Sequence, residues 1–312
     1  MQKNIIVWDL GATKCAAALV SYNAHTQNFV CEKKCIKLLS SVSSLEVLST
    51  EIERELGFKH QNAHAVCVGA AGIYQDGNLN LNKKYPYAMP FLKLAQKFNW
   101  PAFDVIHDYA LTLCATFTPN ICVKKLNNHE GDIFARRVAF GVGSGLGLKD
   151  GILLSPGKFW LGTNEMGHIA LPQAFSKELL SFEDILSGSG MLRLHKFLYA
   201  DHDVNTPEEL GYLIRNKKAL KTLSVFAYYL GLFTSTVQLA FMPAGGIWIT
   251  GGVIAKHLEL FDCEEFLAGI NALPAYLSER QNYPLRIIVD DNAVFIGGAW
   301  YAVHKIENSA LS

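Results

Sequence analysis

Three glycine clusters and a small set of acids carry whatever chemistry this sequence performs. The first cluster is DLGATK at 9–14, set between two apolar runs. Its turn at Gly11 and Ala12 exposes backbone N–H groups, the Thr13 hydroxyl adds a donor, and Lys14 brings an ammonium. That combination suits a phosphate. Asp9 beside it suits a hydrated Mg²⁺, a hard ion that takes one or two carboxylates and keeps most of its waters. Taken alone, the loop reads rather as a β-turn whose aspartate satisfies nearby backbone groups.

The second cluster is GVGSGLG at 141–147. Gly143, Ser144 and Gly145 at its centre let the main chain approach a ligand closely. No Gly-Lys-Ser/Thr ends the cluster and it leads into a strand, so it is neither a P-loop nor a dinucleotide fingerprint. Two such hairpins could grip a polyphosphate from opposite sides. The third cluster lies in ITGG, 249–252, at a strand-to-helix junction. Gly251 and Gly252 there would let a flat ring lie against the backbone, although a tight βα turn reads the same way.

The acids follow a similar logic. Asp108 comes directly after the apolar FDVIH, at the carboxyl end of a strand, where parallel α/β sheets place their ligand contacts; a helix cap fits it as well. In TNEMGHIAL, Glu165 and His168 stand three apart around a glycine and can face one pocket. A Glu-x-x-His pair can also hold a metal, but no further ligands lie nearby. Glu183, ahead of DILSGSG, is either a third polar contact or a charge on a helix face.

The elements needed to position these residues are legible. NIIVWDL, a glycine turn and CAAALVSY read as a strand hairpin, and RRVAFGVGSGLGLKDGILL repeats the pattern far downstream. Helical SSLEVLSTEIEREL, the strand AHAVCVGAAG, the helix MPFLKLAQKF and the strand FDVIHD alternate between them, which implies a mostly parallel sheet with helical cover. From Leu223 to Ala255 there is no charged residue, but Thr234, Ser235, Thr236 and Gln238 interrupt the run and PAGG breaks it. The pattern is that of a buried helix followed by a buried strand rather than a membrane span.

Composition removes other classes. The 312 residues are 50 % hydrophobic and 18 % charged, with 28 basic and 28 acidic side chains, so no positive field gathers nucleic acid. Seven cysteines without paired CxxC spacing indicate reduced thiols rather than a disulfide framework. The first strand meets Asp9 too early for a secretory apolar segment.

Taken in order, DLGATK, HDY, GVGSGLG, NEMGH, EDILSGSG, ITGG and VDDN resemble the motifs of bacterial glucokinases, members of the hexokinase and actin-like ATPase superfamily, over nearly the whole chain. The resemblance implies an α/β, two-domain actin-like ATPase fold, ribonuclease-H-like in each half, with an interdomain active-site cleft. A small domain would comprise 1–107 plus 296–312, and a large one 108–295. The implied activity is transfer of a phosphoryl group from ATP, with Mg²⁺, to the 6-hydroxyl of glucose. Asp108 would be the catalytic base, with Asn82, His107, Glu165, His168 and Glu183 also at the sugar. Asp9, Gly11, Ala12, Thr13 and Lys14 would form the first phosphate hairpin, with Asp9 at the metal, and Gly143, Ser144 and Gly145 the second. Gly251 and Gly252 would take the adenosine. A cytoplasmic homodimer of carbohydrate metabolism, with no nucleic-acid or membrane partner, completes the expectation. His107 stands where the family usually has asparagine and Met166 where it often has glycine. A kinase for another hexose or an N-acetylhexosamine, or a sugar sensor without turnover, therefore stays open. The cysteine-rich zinc motif of the related repressor and kinase family is absent from HIALPQAFSKELL.

Overall fold

A computed structural model describes residues 2–80, 85, 87–200, 203–261 and 264–306. The chain forms two compact units, one of 1–122 with 155–159 and 290–312, the other of 123–154 with 160–289.

The first unit opens with β1 (Gln2–Leu10), β2 (Lys14–Asn23) and β3 (Asn28–Leu38), followed by α1 (Leu45–Leu56), β4 (Ala65–Ala70), the small hairpin β5 (Ile73–Gln75) and β6 (Asn78–Asn80), α2 (Phe91–Lys97), β7 (Phe103–His107) and α3 (Asp108–Ala115). Its sheet runs β3-β2-β1-β4-β7, antiparallel across the first three strands and parallel from β1 to β4 to β7. β1 is the central strand, which is why Ile5 to Trp8 are apolar without alternation and wholly buried on both faces. α1 starts where the Ser44 hydroxyl accepts the Val47 N–H and stops at Gly57, whose φ of 67° suits a residue without Cβ.

The second unit contains β8 (Val123–Lys125), β9 (Arg137–Val142), β10 (Leu146–Ser155), β11 (Lys158–Leu161), α4 (Phe182–Ile185), α5 (Gly188–Tyr199), α6 (Pro207–Arg215), α7 (Leu220–Phe241), β12 (Gly246–Thr250), α8 (Gly252–Lys256), α9 (Glu264–Asn271), α10 (Leu277–Arg280) and β13 (Leu285–Ile288). The sheet order is β11-β10-β9-β12-β13-β8. β9 and β10 form an antiparallel hairpin and β12 lies parallel to β9, so the arrangement of β1, β2 and β4 recurs, as the repeated sequence pattern implies.

Among the described residues, α7 is the one helix long and apolar enough to cross a membrane, and most of it is buried within the second unit. Its polar interruptions have a partner there. The fully buried Arg280 donates to Ser235 Oγ at 2.7 Å and to Gln238 Oε1 at 3.1 Å. α9 crosses α7 at close range: a Cβ on Gly231 would sit 2.1 Å from the Phe266 carbonyl oxygen.

Among the described residues the last α-helix is α11 (Ala293–Tyr301), which belongs to the first unit. A Cβ on Gly297 would fall 1.8 Å from the Leu111 carbonyl oxygen, so α11 lies directly on α3. That packing keeps α3 in the first unit. Apart from the short return of 155–159 to the first unit, the chain therefore divides after 122 and again after 289, where the sequence suggests 107 and 295.

Candidate active site

In the first unit the parallel register lines up the carboxyl ends of three strands. Asp9 pairs with Gly69 of β4, and Gly69 with Ile106 of β7; the next row is Leu10, Ala70 and His107. Asp9 thus stands one row before the sheet edge and Asp108 one residue beyond it, with only Gly69 and Ala70 on the strand between. The Asp9 carboxyl senses the Asp108 charge. Burial first, and the Asp108 charge second, push the Asp9 pKa from 3.8 up to about 6, while Lys14 pulls it down. The Gly11 N–H donates to the Lys14 carbonyl at 3.0 Å, which closes the β1–β2 turn. Thr13 and Lys14 are exposed there.

Asp108 is the first residue of α3. Its Oδ1 accepts the Tyr109 N–H at 2.8 Å and lies 2.9 Å from His107 Nδ1. The Tyr109 nitrogen is also 3.3 Å from His107 Nδ1. A ring nitrogen cannot donate to Asp108 and accept from Tyr109 at once. The shorter contact assigns the proton to Nδ1, so His107 donates to Asp108 and Tyr109 gives its N–H to the same carboxylate. A further residue comes in from the side: Tyr85 donates its hydroxyl to the Leu10 carbonyl at 3.4 Å, and burial together with the Asp108 charge raises its phenol well above the ordinary range. Tyr85 is therefore a neutral donor near the Asp108 charge. Asn82, the residue the sequence suggests in this segment, lies outside the described residues.

In the second unit the hairpin turn at 143–145 is closed by the Gly143 N–H donating to the Gly145 carbonyl at 2.9 Å. Two outside groups hold it. The Gly188 N–H, from the start of α5, donates to the Gly143 carbonyl at 2.8 Å. The Leu146 N–H donates to Glu183 Oε2 at 2.9 Å. The other oxygen of Glu183 lies 3.8 Å from His168 Nδ1. Glu165 and His168 are exposed at the two ends of one turn, in which the His168 N–H donates to the Glu165 carbonyl at 3.1 Å. Gly167 is required inside that turn, since a Cβ would meet the Leu146 carbonyl oxygen at 2.0 Å. Asn164 anchors the entry to the turn: its Nδ2 donates to Asp150 Oδ1 at 3.2 Å and its Oδ1 accepts the Met166 N–H at 3.4 Å. Nothing local in the sequence marks Asp150 or Asn164, whose pairing joins residues 14 apart.

Gly251 completes the set. Its φ is 110°, and a Cβ would lie 2.2 Å from the Val142 carbonyl oxygen, so no other residue fits where β12 runs past the end of β9. A Cβ on Gly143 or on Gly252 would project into open space, so the backbone there is bare. The DLGATK turn, Asp9, His107 and Asp108 thus lie in the first unit, and the GVGSGLG turn and the ITGG junction in the second. Among the described residues no three His, Cys, Asp or Glu side chains come together as a metal site.

Paired glycine hairpins on repeated sheets, each with carboxylates beside it, define a sugar kinase of the actin-like ATPase fold. A family model for glucokinase matches residues 6–305. The chain belongs to the glucokinase family, and it is an enzyme that phosphorylates glucose with ATP. The glucokinase of Citrobacter koseri is 23 % identical over 323 aligned positions, spanning 95 % of this chain and 96 % of that protein. That of Agrobacterium fabrum is 26 % identical over 220 positions, 64 % of each. Among solved structures, a glucokinase from an Antarctic psychrotroph superposes with a TM-score of 0.81 at 21 % identity, covering 98 % of this chain and 99 % of that one. A ROK-family glucokinase from Streptomyces griseus, in complex with glucose and AMPPNP, gives 0.64 at 16 % identity, covering 95 % and 98 %.

Proposed function

We propose that Asp108 is the base of the phosphoryl transfer. It accepts the proton of the glucose 6-hydroxyl as that oxygen attacks the γ-phosphorus of ATP; the new O–P bond forms as the bond to the β,γ-bridging oxygen breaks, and ADP leaves. His107 Nδ1–H and the Tyr109 N–H fix the Asp108 carboxylate through two hydrogen bonds to Oδ1, which leaves Oδ2 for the hydroxyl. Glu165, His168 and Glu183 bind the other sugar hydroxyls. In the 143–145 turn and in Gly11 to Lys14, backbone N–H groups other than those of Gly143 and Gly11, which close the turns, donate to phosphate oxygens, and Gly251 and Gly252 offer bare backbone to the adenosine.

The Asp9 site fits a divalent cation. Burial first and the Asp108 charge second raise its pKa, with Lys14 opposing, and both are penalties on the ionised carboxylate that a bound metal ion offsets. Mg²⁺, when bound, supplies charge neutralisation on the phosphoryl oxygens, and Asp9 would hold it, in part through water. On the family's pattern we place the enzyme in the cytoplasm, in glycolysis, as a homodimer without nucleic-acid or membrane partners.

The observation that carries this reading is the alignment of Asp9 and Asp108 at the ends of β1 and β7. Turnover is to be measured with glucose, other hexoses and N-acetylhexosamines, for the wild type and Asp108→Asn. Glucose should be the best substrate, and the substitution should lower kcat at least about a hundredfold while glucose binding persists. Near-normal turnover by Asp108→Asn refutes the assignment.

A further inference from the structure

The Glu183 carboxylate faces two parts of the second unit at once. Oε2 accepts the Leu146 N–H at 2.9 Å, where the 143–145 turn passes into β10. Oε1 lies 3.8 Å from Nδ1 of His168. One carboxylate therefore holds the glycine hairpin and stands within ion-pair distance of a sugar-side histidine.

The mounting of Glu183 is stiff. A capping box between Ser181 and Asp184 fixes the start of α4. The Glu183 carbonyl accepts the Ser187 hydroxyl at 3.0 Å, and that same hydroxyl accepts the Gly190 N–H at 3.0 Å to begin α5. From there the Gly188 N–H reaches the Gly143 carbonyl at 2.8 Å. The corner between α4 and α5 thus grips the turn at two points, Gly143 from one side and Leu146 from the other. Space is tight around the second grip: a Cβ on Gly145 would stand 2.7 Å from Oε2 of Glu183. On the sugar side, Gly167 packs onto the Leu146 carbonyl. Residue 146 is therefore contacted through its N–H by Glu183 and through its carbonyl by the turn that carries Glu165 and His168.

We infer that Glu183 is a positioning residue for the nucleotide hairpin and that it couples sugar binding to nucleotide affinity. This rests on the kinase reading above, in which the 143–145 turn binds phosphate and His168 binds sugar. The backbone donors of the turn stay aimed only while Leu146 is held. Because the two carboxylate oxygens move as one body, a sugar that engages His168 or Oε1 sets the position of Oε2, and with it the hydrogen bond to Leu146. The coupling is reciprocal: whatever factor the sugar adds to nucleotide affinity, the nucleotide adds to sugar affinity. A residue that only touches sugar has no such effect, and one that only braces the fold does not separate the two ligands.

The test is calorimetric titration of the wild type, Glu183→Ala and Glu183→Gln with AMPPNP and Mg²⁺, with and without saturating glucose, and with glucose alone. In the wild type glucose should tighten AMPPNP at least about fivefold, the lower end of common coupling factors. Glu183→Ala removes the acceptor of Leu146, so AMPPNP affinity without sugar should fall about tenfold and the glucose effect should vanish. Glu183→Gln keeps an oxygen for the Leu146 N–H, so sugar-free AMPPNP affinity should return to within about twofold of the wild type while glucose affinity and the coupling stay weakened. Gly145→Ala, which displaces the carboxylate without changing it, should reproduce the loss of coupling, and it carries the test if Glu183→Ala does not fold. Unchanged sugar-free AMPPNP affinity in Glu183→Ala, or in Gly145→Ala where that variant stands in for it, overturns the inference. So does a Glu183→Gln variant as poor for AMPPNP as Glu183→Ala. Glucose failing to bind the wild type instead overturns the kinase reading, and AMPPNP binding without sugar still decides whether Glu183 positions the hairpin.

Discussion

Replacing Asp9 with asparagine should make the protein more stable and less active, and the structure sets the size of the first effect. The Asp9 pKa rises from 3.8 to about 6, through burial and then the Asp108 charge, with Lys14 opposing. A shift of about two units, at about 1.4 kcal/mol per unit, gives a ceiling of ~3 kcal/mol for the cost of ionising this side chain in the native state. Asp9 is only half-buried, so solvent screening brings the figure to ~2 kcal/mol. The sign follows from linkage. A carboxyl whose native pKa is raised contributes stability that is full below 3.8 and lost as pH rises through about 6. At pH near 7.5 the wild type bears the whole cost, and at pH near 5 about half of it. Asp9→Asn bears none at either pH. Its melting temperature without nucleotide or divalent cation should exceed that of the wild type by about 4–8 °C at the higher pH, and by about half that at the lower. Added Mg²⁺ and AMPPNP should then stabilise the wild type more than the variant, and kcat/KM for ATP should fall about a hundredfold in Asp9→Asn. Scanning fluorimetry at the two pH values decides the stability part. A variant no more stable than the wild type at the higher pH, or one with the same gain at both, refutes the account of burial and repulsion.

Two further substitutions probe what stands beside this site. His60 is fully buried, accepting the Trp8 indole N–H at Nε2 over 3.0 Å and facing Glu53 from Nδ1 at 2.9 Å, and burial lowers its pKa despite Glu53. The contribution of His60 to stability should therefore fall as pH drops below the ordinary histidine value of 6.5, where the unfolded chain takes up a proton that the native state refuses. Urea denaturation followed by tryptophan fluorescence should show this as a difference between the wild type and His60→Phe that shrinks as pH falls. His60→Phe should lack this contribution while costing about 1–3 kcal/mol above that window for the stranded Trp8 and Glu53 groups. His107→Asn exchanges the Nδ1–H donor to Asp108 for an amide that also offers an oxygen to sugar, and it should raise kcat/KM for glucose about two- to tenfold, the range of one net hydrogen bond. Equal constants in wild type and variant would mean that His107 acts only in packing.

What the sequence discloses and what it hides divide along sequence distance. DLGATK and GVGSGLG are visible because a glycine turn between two apolar runs is a local signal, and Asp108 because an acid ends an apolar strand. β3 escapes notice for an equally local reason: NFVCEKKCIKL is an edge strand whose exposed face carries several lysines, so its alternation is diluted. β8, of three residues, is too short to show a period. The domain division depends on α11 lying on α3, a contact that Gly297 permits but that no window of sequence contains. His107 stands out as a departure from the family pattern, yet only the geometry of the β7–α3 junction turns its Nδ1 toward the Asp108 carboxylate. Glu183 marks the limit most clearly. Read along the chain it is a third polar contact or a helix-face charge, because its partner Leu146 lies 37 residues away and offers a backbone N–H, the one kind of group that sequence never distinguishes. Side-chain chemistry is written in the sequence. The backbone donors on which phosphate binding depends are supplied identically by nearly every residue, and only the fold selects which of them are left bare and which are held.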